Sequence, residues 1–98
     1  MLDKAEFKAW LEGHEPSARV GLRATSLSCP VAEWIKETNA QSYTEVTSMT
    51  VLWYSDGLGL HTVSSPEWLM HFVNKLDALN VRHITARRAL QVLEQVKA

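Results

Sequence analysis

One cysteine, Cys29, stands in 98 residues. No disulfide can close within the chain, and structural zinc sites built from several thiolates are excluded. Net charge is equally scarce. Ten Lys and Arg against 11 Asp and Glu leave a formal charge of −1. No global basic field draws in nucleic acid or anionic membrane, so a nucleic-acid contact would need a local patch. No apolar run approaches the roughly 18–20 residues of a membrane span, and the opening Met-Leu-Asp-Lys-Ala-Glu has no apolar signal region. The expectation is a cytoplasmic chain without membrane contact, and a lone cysteine suits a reducing compartment. Recognisable catalytic patterns are missing too. There is no nucleophile elbow and no His-Glu-x-x-His, and no two of His14, His61, His71 and His83 stand four apart. Gly57-Leu58-Gly59 falls in a hairpin pattern and not in a strand-to-helix turn, so it is no phosphate cradle. These absences predict no catalytic residue, no cofactor and no metal: a protein that is not an enzyme.

What is present reads as a globular domain. A hydrophobic fraction of 46% and a charged fraction of 21% are ordinary for a folded chain. The length predicts one domain over 1–98. Such a domain buries roughly 60–70% of the surface its unfolded chain exposes, enough for a core without staples. Four tryptophans, Trp10, Trp34, Trp53 and Trp68, are many for this length. Each brings a large apolar body and one N–H that needs a partner, so they suit a core or a partner-binding surface.

The patterning predicts the order α-α-β-β-α-α, an α+β fold with an antiparallel hairpin packed against helices. The first helix runs over Asp3–Glu12, with Asp3 as cap, Glu6 three residues on, and Phe7, Trp10 and Leu11 on one face. Arg19–Ala24 reads as a short edge strand or an extended linker. A second helix covers 29–38, Pro30 suiting its first turn and Val31, Trp34 and Ile35 forming its buried stripe. A third opens at Ser65-Pro66 and runs to about Leu79 with Trp68, Leu69, Phe72, Val73, Leu76 and Leu79 at helical spacing. Val81–Ile84 reads as a connection, Thr85 as the cap of the last helix, and Ala89 or Leu90, Leu93 and Val96 as its buried positions.

The hairpin spans Thr44–Val63. Asp56-Gly57 suits a two-residue turn whose central positions both need φ > 0. That turn sets Tyr54 opposite Gly59, Trp53 opposite Leu60 and Leu52 opposite His61. One face then carries Met49, Val51, Trp53, Leu58 and Leu60 and meets the helices. The other carries Leu52, Tyr54, His61 and Val63 with no assigned cover, and these four are the candidate partner-binding residues. The partner is another protein or a second copy of the chain.

Two further features carry chemistry. Cys29 precedes a helix, where helix N–H groups stabilise a thiolate, although burial beside Pro30 would leave it inert. Arg82, His83, Arg87 and Arg88 form a basic cluster. Two of its arginines fall in the first turn of the last helix, the end the dipole disfavours for cations. Asp77 or an external anion is the expected offset. The stretch Leu79-Asn80-Val81-Arg82-His83-Ile84-Thr85-Ala86-Arg87-Arg88-Ala89-Leu90 resembles the helix-turn-helix of gluconate-repressor-type transcription factors. The match lies at Leu79, Val81, Thr85, Arg87, Ala89 and Leu90. That resemblance implies a DNA-binding protein using residues 79–96, with Arg82, Thr85, Arg87 and Arg88 on DNA. Asn80 stands where that family commonly has glycine. The leading expectation is a non-enzymatic binding or regulatory module acting by protein–protein contact, an inhibitor, an adaptor or a homodimer. DNA binding is the alternative.

Overall fold

The computed structural model describes residues 2–39, 43–55 and 59–96. Its order is α1 (Lys4–Glu12), β1 (Arg19–Leu22), α2 (Pro30–Asn39), β2 (Tyr43–Val46), β3 (Thr50–Ser55), β4 (Gly59–Ser64), α3 (Glu67–Asp77), β5 (His83–Thr85) and α4 (Ala86–Glu94). The α+β class and the helices agree with the sequence pattern. The strand order does not: five strands form two antiparallel sheets, β1-β5 and β2-β3-β4.

The helices start where their caps predict. The Asp3 carboxylate accepts the Glu6 N–H at 3.3 Å, and the Thr85 hydroxyl accepts the Arg88 N–H at 3.2 Å. Ser65 does not cap α3. Its hydroxyl donates to the Thr47 carbonyl at 3.1 Å, and Pro66 takes the N-cap position without a side-chain bond. Most of the expected stripes are buried: Phe7 and Leu11, then Val31, Trp34 and Ile35, then Trp68, Leu69, Phe72, Val73 and Leu76, then Ala89, Leu93 and Val96. Trp10, Leu79 (two residues past α3) and Leu90 are only partly buried. Together they make one core. Phe7 is its hub, with ring centroids 5.0 Å from Trp34, 5.6 Å from Trp68 and 5.2 Å from Phe72. The Trp68 indole N–H donates to the Leu2 carbonyl at 3.0 Å.

Arg19–Leu22 is a strand, but it does not join the hairpin. It pairs with His83–Thr85, a segment expected to be only a connection, in the register Gly21↔Ile84 and Leu22↔His83. Strands this short carry too few residues for a period-2 signal, and long-range pairing decides them. Ile84 is fully buried as the middle of β5. Arg23, just past β1, ties this sheet to the end of α3. Its guanidinium donates to the Asp77 carbonyl at 3.1 Å, one that the helix end leaves open, and to the Val81 carbonyl at 3.0 Å in the loop beyond.

The single strand expected over Thr44–Tyr54 is two. Thr47 breaks it. Its hydroxyl accepts the N–H of Met49 at 3.2 Å and of Thr50 at 3.0 Å, and its own N–H donates to the Thr50 carbonyl at 2.9 Å. A threonine hydroxyl bonding nearby backbone competes with the strand ladder and turns the chain. Met49, expected in the core, is 69% exposed at this turn.

The second correction concerns register. Ser55 faces Gly59, Tyr54 faces Leu60, Trp53 faces His61 and Val51 faces Val63. The register is one residue away from that of a two-residue turn. Asp56, Gly57 and Leu58 separate Ser55 from Gly59 and lie outside the described residues. A one-residue slip moves every side chain of the slipped strand to the opposite face, and here β4 is that strand.

Candidate functional site

The slip rearranges the proposed surface. Leu52 and Tyr54 share the outer face of the three-stranded sheet with Tyr43 and Leu60. Tyr43, Tyr54 and Leu60 are 42%, 49% and 56% exposed. His61 and Val63 lie on the inner face, in rows with Trp53 and Val51. The four residues grouped from sequence therefore split into two pairs, and Leu60, assigned to the core, joins the outward pair. On the inner side the His61 ring stacks on Trp53, centroids 5.4 Å apart and planes 14° apart. The Tyr43 hydroxyl donates to the Glu45 carboxylate at 3.1 Å, a bond that, ahead of the carboxylate's charge, raises the phenol pKa.

The sheet meets the rest of the molecule on one side. Thr44 and Val46 of β2 are buried, and β2 packs on α2. Apart from β3, no described element packs closely along β4. β3 joins the core through Val51 and leans Trp53 against it, while β4 leaves Leu60 and Val63 exposed, and the chain extends 36 × 24 × 24 Å.

The ladder bonds show which backbone groups of β4 face outward. Ser65 N–H donates to the Met49 carbonyl, and Thr47 N–H to the Thr50 carbonyl, each at 2.9 Å. In an antiparallel pair the bonded residues alternate. Thr50, Leu52 and Tyr54 therefore turn their backbone groups toward β2, and Val51 and Trp53 toward Val63 and His61. The N–H and C=O of Leu60, Thr62 and Ser64 point out of the sheet. The opposite edge, on β2, is already engaged where Val46 N–H donates to the Ser26 carbonyl at 2.8 Å. Edge strands in stable monomers are commonly protected by charge, proline or a bulge. β4, Gly-Leu-His-Thr-Val-Ser, has none of these in its sequence or register. The missing charge between Gly59 and Ser64 was the legible signal for this edge.

The basic cluster is arranged differently from a helix-turn-helix. β5 occupies the stretch between α3 and α4 where that motif has its turn. Arg82, Arg87 and Arg88 are exposed, while Thr85 is committed to capping. The start of α4 is covered by the loop between α1 and β1: Ala86 N–H donates to the Ala18 carbonyl at 2.9 Å and Arg87 N–H to the Pro16 carbonyl at 3.0 Å. Asp77, expected to offset these arginines, accepts the Ala24 N–H at 3.1 Å instead.

Cys29 is buried, and its thiol pKa is pushed up from 9.0 to about 11. Burial is the main cause. Backbone N–H groups of Ala32 and Val31 oppose it, and the carboxylates of Asp77 and Glu33 add to it. A neutral buried thiol is a poor nucleophile. In native protein at pH 8, a thiol-reactive dye should leave Cys29 unlabelled, and in denaturant it should label one thiol per chain. Rapid native labelling would contradict the burial. The raised pKa makes the thiol's stability contribution fully present below pH 9 and lost as pH climbs from 9 through about 11.

Other groups do not assemble a site. His71 lies 3.5 Å from Glu67 on the exposed side of α3. Among the described residues no three His, Cys, Asp or Glu are placed to hold a metal ion, and no helix is long and apolar enough to cross a membrane. A cavity of about 180 Å³ lies between the Ala24–Ser26 turn, Thr47 and Asp77. Its polar groups are already in use: Thr25 donates to the Arg23 carbonyl, Asp77 holds Ala24 N–H, and Thr47 closes its own turn. No known protein family, curated protein or solved structure matches this chain.

Proposed function

We propose that this chain is a non-enzymatic protein-binding module that takes an extended protein segment along β4 and over the outer sheet face. The observation that carries this reading is the open β4 edge. Leu60, Thr62 and Ser64 present backbone donors and acceptors along a strand without charge or proline. A strand added there gains main-chain hydrogen bonds for affinity, while alternate side chains give specificity. Tyr54 and Leu60 stand beside that edge on the same face. Tyrosine in particular supplies contact area at low entropy cost. The reading keeps Leu52 and Tyr54 as partner-binding residues, adds Leu60 and Tyr43, and sets His61 and Val63 beside the inner-face side chains of the added strand.

Selection of displayed peptides against the purified chain tests it. Peptides with alternating β-branched residues should be enriched. Their affinity should fall by about tenfold or more in a Leu60→Lys variant and be unchanged in Gln91→Lys, a substitution on the exposed side of α4. A selection yielding no peptide sensitive to position 60 would overturn the reading.

A further inference from the structure

We propose that the segment filling the β4 edge is β4 of a second copy of this chain, joined antiparallel about a two-fold axis at Thr62. The inference rests on the edge reading above and names its occupant. What the edge asks of that occupant is an extended strand whose own outward groups match, and β4 meets this requirement against itself.

With Thr62 on the axis, Leu60 lies opposite Ser64 of the second copy, and Ser64 opposite its Leu60. These residues carry the outward N–H and C=O groups, so each pair exchanges both ladder bonds. The side chains also fit. A threonine faces a threonine, a favourable cross-strand pair, and the large Leu60 faces a small serine. On the inner side His61 lies opposite Val63 of the second copy, which lays an imidazole against a valine that is 39% exposed in the single chain.

Nothing charged opposes the approach. The outward residues of β3 and β4, namely Thr50, Leu52, Tyr54, Leu60, Thr62 and Ser64, are all uncharged, and the formal charge is only −1 per chain. Like charges, the usual obstacle to self-pairing, are absent from β3 and β4, and Glu45 of the same face sits on β2, the strand farthest from the joined edge. No described element other than β3 packs closely along β4, so no helix of the chain itself covers the edge. The product is two three-stranded sheets continued edge to edge, with the Tyr54 and Leu60 surfaces of both copies on one side. A two-fold contact of this kind closes on itself and leaves no further β4 edge to extend into a fibre.

Sedimentation equilibrium of the full chain, with Thr62→Pro as the variant, tests the proposal. Proline removes only the outward N–H of an edge position, which a single chain does not use and an edge strand tolerates. The wild-type chain should sediment at twice the mass of one chain and dissociate on dilution. Thr62→Pro should sediment as one chain with an unchanged circular dichroism spectrum. Leu60→Lys should also lower the sedimenting mass, independently of backbone conformation. A wild-type chain that stays monomeric at millimolar concentration overturns self-pairing. If the displayed peptides still bind through position 60, the edge reading survives with a different occupant. A dimer indifferent to both variants overturns the β4 contact, because the association would then use another surface.

Discussion

Gly21→Ala should cost this protein about 3 kcal/mol or more of stability, a large share of the roughly 5–15 kcal/mol that holds a domain of this kind folded. A methyl group at Gly21 would sit 2.5 Å from the Pro30 nitrogen and 2.8 Å from the Cys29 carbonyl carbon and Pro30 Cδ. Two of these are backbone atoms and the third belongs to a ring, so no rotamer relieves the contact. β1 cannot slide away cheaply either. It is paired with β5 on Ile84 and His83, and Leu22 N–H donates to the Ser28 carbonyl at 2.8 Å. Making room means lifting β1 from the start of α2 and uncovering Val20 and Ile84, both buried. Gly59 separates this cause from glycine's backbone freedom. Its φ is +81° with nothing within 4 Å of a would-be methyl. Gly59→Ala should therefore cost only about 1–2 kcal/mol, the penalty for a left-handed alanine. Urea unfolding followed by tryptophan fluorescence compares the two. A Gly21→Ala loss below that of Gly59→Ala would show that β1 does not press on α2.

Gly21 also marks where a sequence stops informing. The helices were legible because each shows a long apolar stripe and a local start signal: Asp3, Pro30 and Thr85 act within a few residues of where they stand. The β1–β5 sheet joins Gly21 to Ile84, and nothing at either end identifies the other. The split at Thr47 was hidden for a different reason. Thr-Glu-Val-Thr-Ser-Met-Thr-Val is β-rich throughout, and only the threonine hydroxyl's choice of its own backbone over the ladder ends the strand. The hairpin register turned on a single residue of loop length. Asp-Gly favours a two-residue turn, while the paired positions leave three residues between Ser55 and Gly59. That difference moved Leu60 outward and His61 and Val63 inward. Leu52 and Tyr54 keep the common face expected of them because β3 did not slip. The resemblance around residues 79–90 matched an amphipathic helix with a threonine cap, features α4 has for packing, while β5 takes the place of the turn.

Phe7→Ala should be the most damaging substitution at a position the sequence already marked as core. Phe7 is fully buried, and its ring meets Trp10, Trp34, Trp68 and Phe72 at centroid distances of 5.0 to 6.1 Å. Removing a buried phenyl ring costs about 3–5 kcal/mol, because apolar surface returns to water on unfolding no longer and a cavity stays behind. The T-shaped contact with Phe72, 79° between planes, adds an edge-to-face attraction of about 0.5–1.5 kcal/mol. The upper half of the range is expected, since three of the neighbours are rigid indoles that cannot collapse into the void. Phe7→Leu, which keeps most of the volume, should lose about half as much. The double variant Phe7→Ala with Phe72→Ala should lose less than the sum of the singles, because the two rings share one contact. Thermal unfolding of wild type, the three single variants and the double variant gives all the required values. Additive losses would mean that the rings act independently, and a Phe7→Ala loss under about 1 kcal/mol, no more than a surface change, would place the core elsewhere. The three indoles in contact with Phe7 report on the same site, so native emission should shift to the red in Phe7→Ala as water reaches them. The β4 edge stands apart from this cluster. Under the β4 pairing proposed above, the sedimenting mass of the folded fraction of Phe7→Ala should therefore match wild type, which separates the core that holds the sheet from the edge it presents.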